Sequence, residues 1–211
     1  VEYGEHAWRA LERVVKTLEP ADRANLIADA WALAEAGRAG PERFFRLAEG
    51  LTAGASRVER ESLTRVIDLL DYLQVGQEGS EDFRLYAISL LRPLLDQLGW
   101  LERSGETEEA GLLRVQAVRR LGRLGDAQVI EQASERFAAF LKRPTSLRPY
   151  LRNTVINLVA SRCDQATCDA ILGMARKART LGEARRYYLA LAHALDASTA
   201  ARTLDLVLHD K

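Results

Sequence analysis

The sequence predicts an all-α chain, built as a solenoid of stacked helix pairs, and three observations carry that expectation. The 211 residues are loaded with Ala, Leu, Arg and Glu and hold only five Pro, a composition that favours helix almost everywhere. Apolar residues recur with a period near 3.6 along the whole chain, and no run alternates as a strand would. In the C-terminal half, Asp126, Asp164 and Asp196 stand 38 and 32 residues apart, close to the period of two-helix repeats.

The first helix is expected near residues 5–18. The second follows Pro20, with Leu26, Ile27, Ala30, Leu33 and Ala34 on one face and Gly37 as its stop. A short helix after Pro41 carries Phe44, Phe45, Leu47, Ala48 and Leu51. A longer one runs from about Val58 to Leu73 on the stripe Leu63, Val66, Ile67, Leu70 and Leu73. The polar stretch Gly76 to Ser80 breaks the chain. From Phe83 to Leu98 the stripe is Phe83, Ala87, Leu90, Leu91, Leu94 and Leu98, with Pro93 inside it expected to kink or split the element. A helix from about Leu112 to Leu124 ends at Gly125-Asp126.

From there the repeat takes over. Each of the three aspartates is placed to cap a helix by accepting from its first free N–H groups. The helices that follow carry Val129, Ile130, Ala133 and Phe137, then Thr167, Cys168, Ile171, Leu172 and Ala175, then Thr199, Ala200, Leu204 and Val207. Between anchors lies a second helix, on Leu151, Val155, Leu158 and Val159 in one unit and on Ala184, Tyr188, Leu191 and Leu195 in the next. A helix pair cannot cover its own apolar face, so neighbouring pairs stack and leave a curved surface suited to binding.

Charge and composition narrow the function classes. Lys plus Arg equals Asp plus Glu at 30 each, so no net field draws nucleic acid or an anionic membrane. No stretch approaches the roughly 20 apolar residues that span a bilayer. The first residues, V-E-Y-G-E-H, lack both Met and the basic and apolar regions of a signal peptide, which suggests a fragment or a processed product. Cys163 and Cys168 are too few for a disulfide framework. Five apart on an expected helix they point in different directions, so they are read as reduced thiols in a cytoplasmic protein.

Residues for catalysis are scarce. His6, His193 and His209 stand outside any H-E-x-x-H pattern, and there is neither a G-x-S-x-G elbow nor a phosphate-binding G-x-x-x-x-G-K-[ST] loop. Cys163 at a helix start has a setting that favours the thiolate, though a small residue filling a gap is the simpler reading. The glycines of Leu121-Gly122-Arg123-Leu124-Gly125 sit at a helix end, where a cap explains them. Asp68 and Asp71 lie one turn apart, as chance allows in so charged a chain. The clusters Arg119, Arg120, Arg123 and Arg176, Lys177, Arg179, Arg185, Arg186 are interspersed with acids and read as solvated faces. Trp8, Trp31, Trp100, Tyr187 and Tyr188 fall on or beside apolar stripes and read as core, with one of the paired tyrosines inward and one outward.

Specific strings add to this. L-E-P-A-D-R-A-N-L-I-A-D-A-W-A-L-A-E-A-G, Leu18 to Gly37, resembles the opening of the C-terminal helical domain in the aminopeptidase N, puromycin-sensitive and endoplasmic-reticulum aminopeptidase family, where the pattern is L-x-x-x-D-R-A-x-L-x-x-D-A. Further matches follow in order: Leu90 to Trp100 for L-L-x-P-L-L-x-x-L-G-W, Leu121 to Asp126 for L-G-x-L-G-D, Ser146 to Arg148 for S-L-R, and the terminal L-x-x-A-L-D and R-T-L-D-L-V-L. Val1-Glu2-Tyr3 with Trp8 looks like the end of the R-V-x-Y-x-x-x-x-W entry to that domain. The resemblance covers essentially the whole chain. It departs at Arg57 to Leu63, where relatives carry an aromatic-rich E-x-x-Y-x-x-W element whose contacts therefore do not transfer.

The resemblance implies a right-handed α-α superhelix of HEAT or armadillo type, with about eleven antiparallel helices forming one domain over residues 1–211. It implies a non-catalytic domain that closes over the active-site cavity of a zinc aminopeptidase, a metallopeptidase hydrolase, and controls peptide access. The family's zinc ligands, its recognition of the substrate amino terminus and its transition-state tyrosine lie upstream, so no catalytic or metal residue carries over and zinc is expected only in the catalytic domain. The implied partners are that catalytic domain of the same polypeptide and a peptide substrate, with neither nucleic acid nor membrane. Arg148 and Arg152, near the start of a helix, are the candidates to face substrate, since a guanidinium suits a peptide carboxylate. The alternative is a stand-alone helical-repeat scaffold that binds a protein or peptide. A HEAT-like nucleic-acid enzyme is disfavoured by the neutral charge.

Overall fold

A computed structural model describes residues 3–50, 55–195 and 197–209. It is all-helical: eleven α-helices and two short 3₁₀ turns, with no strand among the described residues. Contacts divide the chain into two compact units, Val1–Gln97 and Leu98–Lys211, and each is taken by itself.

The first unit holds α1 (Glu5–Val14), α2 (Pro20–Glu35), α3 (Glu42–Glu49), α4 (Arg57–Leu73) and α5 (Ser80–Leu98), whose last residue falls in the second unit. α1 stops four residues early, and Val15–Thr17 form a 3₁₀ turn. Pro20 opens α2 at its first position, where the missing N–H costs nothing. α4 begins with a capping box: Ser56 accepts from the Glu59 N–H, and Glu59 accepts from the Ser56 N–H at 2.6 Å. The core gathers Trp8, Ile27, Ala30, Phe44, Leu47, Val66, Ile67 and Ala87. Around Phe44, edge-to-face contacts run from Trp31 through Phe44 and Phe45 to Phe83 and Tyr86.

Two expectations differ from the structure here. Pro93 does not split α5, which continues to Leu98. The carbonyl that loses its donor belongs to Ser89, and that residue is exposed, so water can satisfy it. Leu73, the last of its expected stripe, is 59% exposed at the end of α4. Asp71, one turn from Asp68, is a nearly buried carboxylate that accepts from Arg84 Nε at 2.6 Å. Leu51, Val1 and Glu2 lie outside the described residues.

The second unit holds α6 (Glu108–Leu124), α7 (Ala127–Lys142), α8 (Pro149–Ala160), α9 (Gln165–Arg176), α10 (Leu181–Leu191) and α11 (Ala197–His209). Within it, helices that follow one another in sequence touch, and α6 with α8 and α8 with α10 touch as well, the pattern that stacked helix pairs produce. Two of the three expected caps form. Asp126 accepts from the Val129 N–H at 2.9 Å and Asp164 from the Thr167 N–H at 2.8 Å, while Asp196 lies outside the described residues. Thr107 and Thr180 cap α6 and α10 in the same way.

Gly125 has φ 97° and ends α6 as the sequence suggests. Gly122 does something else. A Cβ there would lie 2.5 Å from a Leu158 methyl carbon, so this glycine is what lets α6 approach α8.

The two cysteines are joined by a disulfide, which corrects the reading as reduced thiols. Their assumed divergence required both to be on one helix. Cys163 precedes the Asp164 cap and only Cys168 is helical, so the helical angle between them does not apply and their Cα atoms lie 5.5 Å apart. Leu195 is a further departure: it follows the end of α10 and is 71% exposed.

Candidate functional site

The candidate arginines sit where α7 turns into α8. After α7 the chain passes through extended Arg143, a 3₁₀ turn at Pro144–Ser146 and buried Leu147. Arg148 is the N-cap residue of α8 and Pro149 its first helical residue, with no side-chain capping bond. Arg148 is exposed, and its guanidinium meets no hydrogen-bonding partner among the described residues, while its carbonyl accepts from the Leu151 N–H at 3.0 Å. A cation at a helix N-terminus faces the positive end of the dipole, so the corner as a whole favours an anion.

Arg152, one turn into α8, is engaged. Its Nε donates to the Leu147 carbonyl at 3.1 Å and its terminal nitrogen to the Pro144 carbonyl at 3.2 Å, while the guanidinium carbon lies 5.6 Å from the centre of the Phe140 ring. These contacts fold the corner back onto α8 and set where Arg148 stands. On the same helix, the Tyr150 hydroxyl is buried without a hydrogen-bonding partner among the described residues.

Across from α8, α10 presents Tyr187, 6% exposed, whose hydroxyl is 3.5 Å from Glu183 Oε1. Burial pushes this phenol up, the Glu183 carboxylate adds to the effect, and the Arg186 and Arg152 guanidinium groups oppose it. Tyr187 is thus the inward ring of the pair and Tyr188 is half-buried. Elsewhere in the unit the Arg136 guanidinium stacks 4.3 Å from the Trp100 ring centre. Burial lowers its affinity for its proton.

What this corner offers a ligand is an exposed guanidinium beside a helix N-terminus. Of the sequence's basic clusters, Arg176 ends α9, Lys177 and Arg179 lie between α9 and α10, and Arg185 and Arg186 lie on α10, all exposed, while on α6 Arg119 and Arg123 are exposed and Arg120 is half-buried. Among the described residues no group of three or more His, Cys, Asp or Glu side chains is placed to hold a metal ion.

Sequence reasoning missed the most deeply buried charges. Arg114 on α6 is fully buried, donating to the Gly99 carbonyl at 2.8 Å, to the Leu98 carbonyl at 3.2 Å and to Glu106. In the first unit Glu59 is fully buried and accepts from Arg23 Nε at 2.6 Å. Burial alone pushes the Glu59 carboxyl up. The bonds from Arg23 and Ser56 outweigh that and hold it below the usual carboxylate range. Both residues read as ordinary helix-surface charges in a sequence this rich in Arg and Glu.

The family model of the ERAP1-like C-terminal domain matches residues 1–211. The chain belongs to this family. It is 27% identical over 201 residues to aminopeptidase M1-A of Oryza sativa subsp. japonica, covering 90% of this chain and 23% of that protein. It is 28% identical over 171 residues to the puromycin-sensitive aminopeptidase of Caenorhabditis elegans, covering 78% and 18%. Glutamyl aminopeptidase of Rattus norvegicus is 27% identical over 192 residues, covering 89% and 20%. The chain thus spans less than a quarter of the length of these three relatives. As an ERAP1-like C-terminal domain it is a C-terminal domain of this aminopeptidase family, and the corner at Arg148 is a surface of that domain.

Proposed function

We propose that this chain is the non-catalytic C-terminal domain of a zinc-dependent aminopeptidase, and that it closes over the active-site cavity and controls which peptides enter. The observation that carries the reading is the match of one C-terminal-domain model to all of residues 1–211, in a chain that spans only a fifth or so of relatives named as aminopeptidases. That unbroken match also supports treating 1–211 as one functional domain of right-handed superhelical type. The catalytic domain of the same polypeptide and the peptide substrate are its partners in this reading.

Arg148 and Arg152 are the residues we assign to the substrate side. Arg148 offers an exposed guanidinium to a peptide carboxylate. Arg152 holds the turn through its two carbonyl contacts and presents its remaining N–H edge. A domain of this kind acts by sequestering the site from water and bulk protein, the role of a lid.

The cytoplasmic placement rested on reduced thiols. With the disulfide present, that placement requires a bond that the cell's thiol pool can open. The test of the main reading is simple. The isolated chain, assayed with aminoacyl anilides and by metal analysis, should hydrolyse none of them and hold no stoichiometric zinc; turnover by the purified chain would overturn it.

A further inference from the structure

The segment Cys163-Asp164-Gln165-Ala166-Thr167-Cys168 wraps the start of α9, and its two sulfurs live in different surroundings. Cys163 is half-buried and lines a cleft of about 370 Å³ with Ser161, Arg162, Leu195 and Thr199. Cys168 is 6% exposed, on the face of α9 that also buries Ile171 and Leu172. An external thiolate entering the cleft reaches Cys163, which lines it, whereas buried Cys168 is not among the lining residues.

We propose that Cys163 is a thiol-exchange site for small-molecule thiols, with Cys168 as the resolving thiol. In the forward step an external thiolate attacks the Cys163 sulfur. The bond between the two cysteines breaks, its electron pair leaves on Cys168, and a mixed disulfide forms at Cys163. In the return step the Cys168 thiolate attacks that mixed disulfide and expels the small thiol. The co-reactant is the thiol itself, so electrons balance in both directions.

Position favours the step. As the fourth residue of α9, Cys168 leaves as a thiolate in the first helical turn, where the dipole stabilises negative charge. The start of α9 does not depend on the bond: Asp164 accepts from the Thr167 N–H through its carboxylate, at 2.8 Å, and from the Cys168 N–H through its carbonyl, at 2.9 Å. On the far wall of the cleft, the Leu195 N–H donates to the Ser161 carbonyl at 2.9 Å. Exchange therefore changes what occupies the cleft while the helices stay folded.

The probe is glutathione. The folded chain is mixed with reduced and oxidised glutathione, quenched in acid at early times before the adducts equilibrate, and its cysteine peptides are quantified by mass spectrometry, with circular dichroism recorded in parallel. The adduct is expected on Cys163 over Cys168 by about tenfold, with helicity retained, because attack follows access. With oxidised glutathione alone, Cys168→Ser is expected to form its adduct roughly tenfold faster than Cys163→Ser. An adduct chiefly on Cys168, equal rates in the two variants, exchange only after unfolding, or alkylation of both sulfurs in the untreated chain would each overturn the proposal. None of these outcomes bears on the aminopeptidase reading.

Discussion

Glu59→Gln tests how the buried charges hold the first unit. The substitution keeps size and shape while removing the charge from a fully buried side chain that accepts from Arg23 at 2.6 and 3.4 Å and from the Ser56 N–H at 2.6 Å. Bonds to a charged group contribute about 1.5–3 kcal/mol against about 1 kcal/mol for neutral ones. Breaking a fully buried ion pair costs about 3–5 kcal/mol. Arg23 keeps 16% of its side chain exposed, so it stays partly hydrated and the expected loss falls below that range, at about 2 kcal/mol. For a chain of this size that corresponds to a Tm lower by roughly 4–8 °C. The assay is urea and thermal unfolding followed by circular dichroism, with Arg23→Met and the double variant completing a cycle. The double variant should lose less than the sum of the singles, by about 1 kcal/mol or more. Because the folded carboxyl is held below its ordinary value near 4.5, its contribution is fully present above that pH and disappears as pH falls through the folded value. The gap between wild type and Glu59→Gln should therefore close in acid. Strict additivity, or a gap unchanged by acid, would refute the reasoning.

Gly122→Ala places a Cβ 2.5 Å from a Leu158 methyl carbon. Overpacking costs about 1–3 kcal/mol and the gain in helix propensity returns up to about 1 kcal/mol, so a net loss of stability in urea is expected; a stabilised variant would contradict the close approach of α6 to α8. Asp126→Ala removes a cap from a residue only 4% exposed and should cost about 1–2 kcal/mol by the same measurement. Cys163→Ser opens a short covalent loop and should cost about 2 kcal/mol, with the helical spectrum intact. In the parent polypeptide, Arg148→Ala should weaken binding of peptides with a free C-terminal carboxylate, with little change for amidated peptides or aminoacyl anilides, as judged by KM; equal effects on all three would remove Arg148 from the substrate side.

Much of this fold was legible because the signals were local. Pro20, Asp126, Asp164 and Gly125 act on their own few residues, and the structure uses each as its chemistry suggests. What escaped were features set by partners distant in sequence. Gly122 looks like half of a cap until Leu158 is placed against it. Glu59 and Arg114 look solvated until Arg23 and the carbonyls of Leu98 and Gly99 reach them. The cysteine pair was misjudged by extending α9 back over Cys163, an error of two residues in a helix boundary, which is the usual uncertainty at helix ends. For the candidate site, the sequence named Arg148 and Arg152 but could not tell the exposed guanidinium from the one bonded to the turn.

We propose above that this domain governs access to a catalytic centre carried elsewhere on the polypeptide. The direct measurement is hydrolysis of peptides of graded length by the parent protein, with and without residues 1–211, in preparations that retain activity on an aminoacyl anilide. Loss of the domain should flatten the dependence of kcat/KM on peptide length while anilide turnover persists. A length profile that is the same with and without the domain would contradict the account.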